Sequence, residues 1–204
     1  MTSSLDRRVV LTGALALMAG PALAETGDGL VRVAIKTAKG VITADLDVGS
    51  APITAGNFLK YVDKRLFDGS TFYRASKAKG APDIGVIEGG TRGDPAKSLK
   101  PIPHESTTKT GLLHKDGTLS MARRAPGTAA GDFFICIGDQ QSFDARPDTP
   151  GEVGFAAFGQ VVDGMDVVRA ILAAPTSPTA GVGVMRGEML KPTVEILSVR
   201  RVKA

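Results

Sequence analysis

The sequence has little of what most site chemistries need. It holds one cysteine, Cys136, so no disulfide can form within the chain. It holds two histidines, His104 and His114, with no HExxH pattern and no carboxylate cluster at ligand spacing, which argues against a metal site. There is no GxSxG elbow, and Ser120 lies inside a strand pattern, so serine hydrolysis has little support. Gly89-Gly90 and the other glycine pairs match no phosphate-binding loop. Aromatic residues make up 5%, and the net charge of +4 is scattered, with no basic run interleaved with aromatics. Nucleic acid is therefore not an expected partner. The apolar stretch from Val9 to about Gly20 is too short for a resident membrane span.

What is present describes one globular unit. The chain has 204 residues, of which 43% are apolar and 23% charged, enough for one domain with a real core. Twenty-five glycines and 12 prolines against few aromatics favour strands joined by many turns over a helical bundle. Arg7-Arg8 precede the apolar stretch, and Ala22-Leu23-Ala24 supplies a small-x-small cleavage pattern. Residues 1–24 thus read as an export signal cut after about Ala24, leaving residues 25–204 as the domain, in the periplasm and without stable membrane insertion. Asp6-Arg7-Arg8-Val9-Val10-Leu11 loosely matches a twin-arginine signal, and an ordinary secretory signal stands as an equal alternative.

Past Gly27 the pattern alternates. Val31, Val33 and Ile35 share one side of a strand, Ala38-Lys39-Gly40 turns, and Ile42, Ala44 and Leu46 alternate again. Pro52 suits the first turn of a helix, followed by Ala55, Leu59, Val62 and Leu66 at helical spacing. Thr71 to Arg74, Gly117 to Ala122, Asp132 to Ile137, Phe155 to Val162 and Val194 to Val202 read as further strands, and Met165 to Leu172 as a second helix. Residues 75–83, 91–101, 144–152 and 174–192 read as loops. Cys136 falls in an apolar strand and reads as buried and inert, while both histidines are expected to face solvent. The composition implies an all-β domain with helical lids, a closed barrel, and says nothing more of its function.

Four segments in order carry a resemblance. Pro52 to Arg74 ends in Phe72-Tyr73-Arg74. Ile87-Glu88-Gly89-Gly90 follows. Gly117 to Gly138 contains Ser120-Met121-Ala122 and Phe133-Phe134-Ile135. Phe155 to Val168 contains Phe158-Gly159-Gln160-Val161. Together they resemble the cyclophilin family of peptidyl-prolyl cis–trans isomerases, over about Val31 to Val202. The resemblance implies a closed eight-stranded antiparallel β-barrel with a packed interior, capped by two helices, whose substrate groove lies on the outer surface. It implies a cofactor-independent, metal-free isomerase, a monomer that acts on proline-containing unfolded polypeptides or loops and assists folding of exported proteins.

By the same resemblance, Arg74 is the catalytic cation and Phe134 the aromatic floor of the proline pocket. Ala122 and Arg123 match the strand edge that binds substrate backbone, Phe143 a pocket wall, and Val86 a pocket-wall methionine. Phe133 and Phe134 alternate, so one faces the core and the other the groove. The chain departs from the family pattern at several points. Glu88 and Asp132 replace groove glutamines, Phe155 stands where many members have histidine, and Ser142 where the tryptophan associated with cyclosporin binding occurs. Gly85 falls nearest the pocket phenylalanine. Glu88 either holds Arg74 in place or pulls it from the prolyl nitrogen, and in the second case the chain would be a catalytically weak peptide-binding module or chaperone.

Overall fold

The computed structural model describes residues 29–146, 148–149 and 151–203; the segment read as an export signal lies outside them. The alternating run at the start forms β1 (Leu30–Thr37) and β2 (Gly40–Asp47), paired antiparallel through Ala34↔Thr43 and Ile35↔Ile42. Val33, Ile35, Ile42, Ala44 and Leu46 are fully buried on the inner face, as period-two patterning requires. The other strands are β3 (Ser70–Ala78), β4 (Ala81–Gly90), β5 (Thr118–Met121), β6 (Asp132–Ile137), β7 (Ala156–Asp163), β8 (Thr176–Ser177) and β9 (Met189–Arg201). They are ordered β1-β2-β7-β5-β6-β4-β3-β9, and β9 pairs back on β1 to close an eight-stranded antiparallel barrel, with β8 added beside β9. Closure leaves every long strand paired on both edges.

Helices close the two ends. Helix α1 (Pro52–Asp63) follows directly from the Asp47 end of β2, and Phe58 drives it into the barrel. The Phe58 ring lies 4.8 Å from Phe67, 5.2 Å from Phe133 and 5.3 Å from Phe158. A short helix, α2 (Thr107–Thr110), lies in the β4–β5 connection and was not expected from the sequence. Helix α3 (Met165–Leu172) lies at the opposite, Gly40–Val41 end of β2, burying Val168, Ile171 and Leu172. The turn into it is tight. Gly164 has φ of +84°, and a Cβ there would lie 2.3 Å from the Val41 carbonyl oxygen, so only glycine fits.

Two segments read as loops are partly strand. Residues 75–83 continue β3 and β4 into a hairpin that turns at Lys79-Gly80; both faces of its tip are solvent-exposed, which removes the alternation that marks a strand. The 174–192 segment contains β8 and the first residues of β9, Leu190 and Met189 pairing with Thr176 and Ser177.

Helix α1 has no side-chain N-cap of its own. Instead the Glu105 carboxylate, 1% exposed, accepts hydrogen bonds from the Thr54 backbone N–H and hydroxyl, both at 2.7 Å. It thereby satisfies an orphan donor and opposes the positive end of the helix dipole. Glu105→Ala is expected to cost about 1.5–3 kcal/mol of unfolding free energy by urea titration, the range for hydrogen bonds to a charged group. An unchanged midpoint would contradict this role.

Candidate active site

By strict alternation β3 would turn Phe72 inward, Tyr73 outward and Arg74 inward. The pairing of β3 with both β4 and β9 shifts register between Phe72 and Arg74, so Tyr73 is the extra residue of a bulge. Phe72 and Ala75 remain in the barrel core, while Tyr73 and Arg74 both leave it. The bulge is what moves the arginine from the inner face to the outer one.

Cross-strand pairing then sets a transverse row on the outer face. Arg74 is opposite Glu88, Glu88 opposite Phe134, and Phe134 opposite Ser120. With strands about 4.8 Å apart, Arg74 and Phe134 stand about 10 Å apart along this row. The neighbouring row, Ile87, Ile135 and Leu119, faces inward and is fully buried. Phe133 is in the core and Phe134 in a separate outer cluster, as the alternation of that pair requires.

The outer cluster gathers most of the expected groove residues. Val86, Phe134 and Cys136 form its base, with Ala122, Phe143 and Phe155 packed against them. The rings of Phe134, Phe143 and Phe155 lie 5.3–5.5 Å apart in steeply inclined, mostly edge-to-face contacts. Phe134 is 5% exposed. The Arg123 guanidinium lies 4.8 Å over Phe155, and its terminal nitrogen donates to the Gly154 carbonyl. Arg123 Nε is buried and has no hydrogen-bond partner among the described residues, and burial lowers the Arg123 pKa. Gly85 cannot contribute a wall. Its φ is +155° and a Cβ would lie 2.0 Å from the Ser76 carbonyl oxygen. Cys136 is buried as expected, though beneath this outer cluster rather than inside the barrel, and burial pushes its thiol pKa up.

Arg74 is held by two carboxylates. Its NH1 donates to Glu88 Oε2 at 2.7 Å and its Nε to Glu188 Oε2 at 2.8 Å, with NH2 also 2.8 Å from the latter oxygen. Burial works against charge on Arg74, but the hydrogen bonds and attraction from Glu88 and Glu188 outweigh it, and its pKa is raised. The Arg74 cation is permanent. The Tyr73 hydroxyl donates to Glu88 Oε1 at 2.8 Å, and burial followed by the Glu88 charge holds the phenol well above its ordinary range. Asp132 Oδ1 accepts from the Arg92 backbone N–H at 2.6 Å, and burial raises its pKa with a contribution from Glu88.

His104 is half-buried, its Nε2 2.9 Å from the Val153 carbonyl oxygen. The expectation that His114 faces solvent is overturned: it is 1% exposed. His114 Nδ1 lies 2.7 Å from Asp144 Oδ1 and Nε2 lies 2.9 Å from the Ser120 hydroxyl. The order is that of a hydrolase triad, but Ser120 is fully buried and no substrate carbonyl can reach it. The chain instead ties the segment bearing Phe143 to β5, with the imidazole stacked 6.0 Å from Phe134. Tyr73, Ser76, His114, Asp144 and Glu188 were not singled out as site residues from the sequence. Glu188 in particular is 114 residues from Arg74 and has no local signal. A depression of about 210 Å³ lined by Leu112, Leu113, Gln160 and Val162 among others lies over β2 and β7, with no cationic side chain in its lining.

Residues 31–201 match the family described as cyclophilin type peptidyl-prolyl cis-trans isomerase. A peptidyl-prolyl cis-trans isomerase from Acinetobacter baylyi is 34% identical, covering 96% of this chain and 95% of its own. One from Streptomyces antibioticus is 33% identical over 73% of this chain and 87% of its own. A cyclophilin type isomerase of Cryptosporidium parvum, crystallised in the presence of the dipeptide Ala-Pro, shares the fold. Its TM-score is 0.66 at 18% identity, covering 85% of this chain and 99% of that one.

Burial lowers the His114 pKa below its ordinary 6.5, although Asp144 pulls the other way. The unfolded chain therefore takes up this proton first. The His114 contribution to stability is complete above about pH 6.5 and shrinks as pH falls towards the folded-state value. The imidazole resonances of His114 are expected to remain those of the neutral ring at pH 6.5; a midpoint at or above that pH would contradict the assignment.

Proposed function

Since the chain belongs to the cyclophilin-type peptidyl-prolyl cis–trans isomerase family, we propose that Arg74 supplies the cation that stabilises the twisted prolyl amide and that the Phe134 cluster receives the proline ring. The chain is a peptidyl-prolyl isomerase that needs no cofactor, and the reaction explains why. Resonance of the amide nitrogen sets a barrier of about 18–20 kcal/mol, and rotation breaks no covalent bond, so neither a nucleophile nor a metal is called for. When the amide twists, its nitrogen lone pair is released and can accept a hydrogen bond. A fixed donor at that point binds the twisted state better than the planar one, and this difference lowers the barrier.

The observation that carries the reading is the outer-face row in which Arg74 and Phe134 are two strands apart. A proline ring against Phe134, walled by Phe143, Phe155 and Val86, leaves its nitrogen on the Arg74 side. Ala122 and Arg123 lie just past the Met121 end of β5, where substrate backbone can be held, and Glu88 and Asp132 give the opposite margin an acidic character. Substrates on this reading are X–Pro bonds in unfolded chains or exposed loops, bound by a monomer. We further propose, from the Arg7-Arg8 pair, the apolar stretch and the Ala22-Leu23-Ala24 pattern, that residues 1–24 direct export and that the domain serves folding in the periplasm. No helix among the described residues is long and apolar enough to cross a membrane.

Arg74→Lys keeps the positive charge beside Glu88 and Glu188 but loses the planar fork. It is expected to lower kcat/KM on a prolyl tetrapeptide by about 100-fold or more, the scale of removing one preorganised donor, while leaving thermal unfolding near that of the parent. Activity equal to the parent in Arg74→Lys and Arg74→Ala would remove Arg74 from the mechanism. Peptide binding without turnover by the unaltered protein would instead identify a peptide-binding module.

A further inference from the structure

Each of the two carboxylates on Arg74 is itself held. Glu88 spends one oxygen on Arg74 and the other on the Tyr73 hydroxyl. Glu188 spends Oε2 on Arg74 and accepts from the Ser76 hydroxyl at 2.9 Å through Oε1. Both hydroxyls come from β3, the strand that carries Arg74. The Glu188 backbone is fixed to the same strand, since the Ala75 N–H donates to its carbonyl at 2.9 Å. The Glu188 side chain, a quarter exposed, thus meets Arg74 from a segment anchored one residue away from it.

We infer that Glu188 is a positioning residue for the isomerase, orienting the Arg74 guanidinium so that its remaining N–H groups face the groove. The inference rests on the reading of Arg74 as the donor. An arginine side chain loses rotamer freedom when fixed, and a fork already held on its Nε side has little of it left to lose in the transition state. Glu88 alone cannot do this. One hydrogen bond to NH1 leaves the guanidinium plane free to turn about that contact, whereas the added Glu188 contacts at Nε and NH2 define the plane. The restraint also has an electrostatic consequence. Two carboxylates beside one guanidinium leave this edge of the groove with a net negative charge, so the gain from Glu188 is in direction and not in field strength.

Glu188→Ala in the full chain is expected to lower kcat about tenfold while leaving KM nearly unchanged, because orientation matters in the twisted state and little in the planar one. The Arg74 Nε–H resonance, assigned by its loss in Arg74→Lys, should shift and broaden. Glu188→Gln retains one acceptor oxygen and should recover most of the rate, and Ser76→Ala should fall between Glu188→Ala and the parent. An unchanged rate with an unchanged Nε–H signal would overturn the inference, as would a faster Glu188→Ala, which would mean that the carboxylate withholds Arg74. Should Glu188→Ala fail to fold, a reduced kcat in Ser76→Ala supports the inference, and parental or faster rates in both Ser76→Ala and Glu188→Gln overturn it. Full activity in both Arg74→Lys and Arg74→Ala is a separate result, and defeats the donor reading instead.

Discussion

The site depends on one dislocation in β3. Without the bulge at Tyr73, Arg74 would point into a core of phenylalanine and aliphatic side chains, where a guanidinium has no partner and a prohibitive desolvation cost. With it, two consecutive polar side chains leave the barrel together, and both find Glu88 on the neighbouring strand. The ion pairs that follow make the outward position self-consistent. The permanent charge on Arg74 is countered by Glu88 and Glu188, and the spare carboxylate oxygens are met by Tyr73 and Ser76. A one-residue insertion in the register thus turns two neighbouring side chains of a core strand to the outer face.

The barrel confers rigidity by separating packing from chemistry across a single pleat. Ile87, Ile135 and Leu119 fill the interior, and one residue away Glu88, Phe134 and Ser120 form the outer row. Side chains on the outer face inherit positions fixed by hydrogen-bonded strands closed into a ring, which suits a reaction whose catalysis is preorganised electrostatics. The outer face is not uniformly open. His114, Asp144 and Ser120 lie beneath the connections, tying the segment that bears Phe143 to β5 behind Phe134. The Phe134 cluster therefore rests on a buried polar chain.

Much of the fold was legible because its signals are local. Alternation marked β1 and β2, Pro52 marked the start of α1, and Met165 to Leu172 matched α3 at both ends. The β3–β4 tip was not legible, because both faces of the projecting hairpin are exposed, and Lys77, Ala78, Lys79, Pro82 and Asp83 leave no period to detect. The motif resemblance named Arg74, Val86, Glu88, Phe134, Phe143 and Phe155, and the structure places them on one outer face. His114 escaped because the residues around it, Leu113 and Lys115, give no sign that the Phe143 segment covers it. Glu188 escaped because its partnership with Arg74 is made by the return of β9 alongside β3, a contact that no local pattern encodes.

The most direct test is a distance in a complex. A structure of the protein with a bound Xaa-Pro peptide should show the proline ring against Phe134 and an Arg74 N–H group within hydrogen-bonding reach of the prolyl nitrogen, with Glu88 and Glu188 still on the guanidinium. A peptide bound over β2 and β7 beside Leu113 and Val162, or a proline ring on Phe134 with Arg74 turned away from it, would contradict the account.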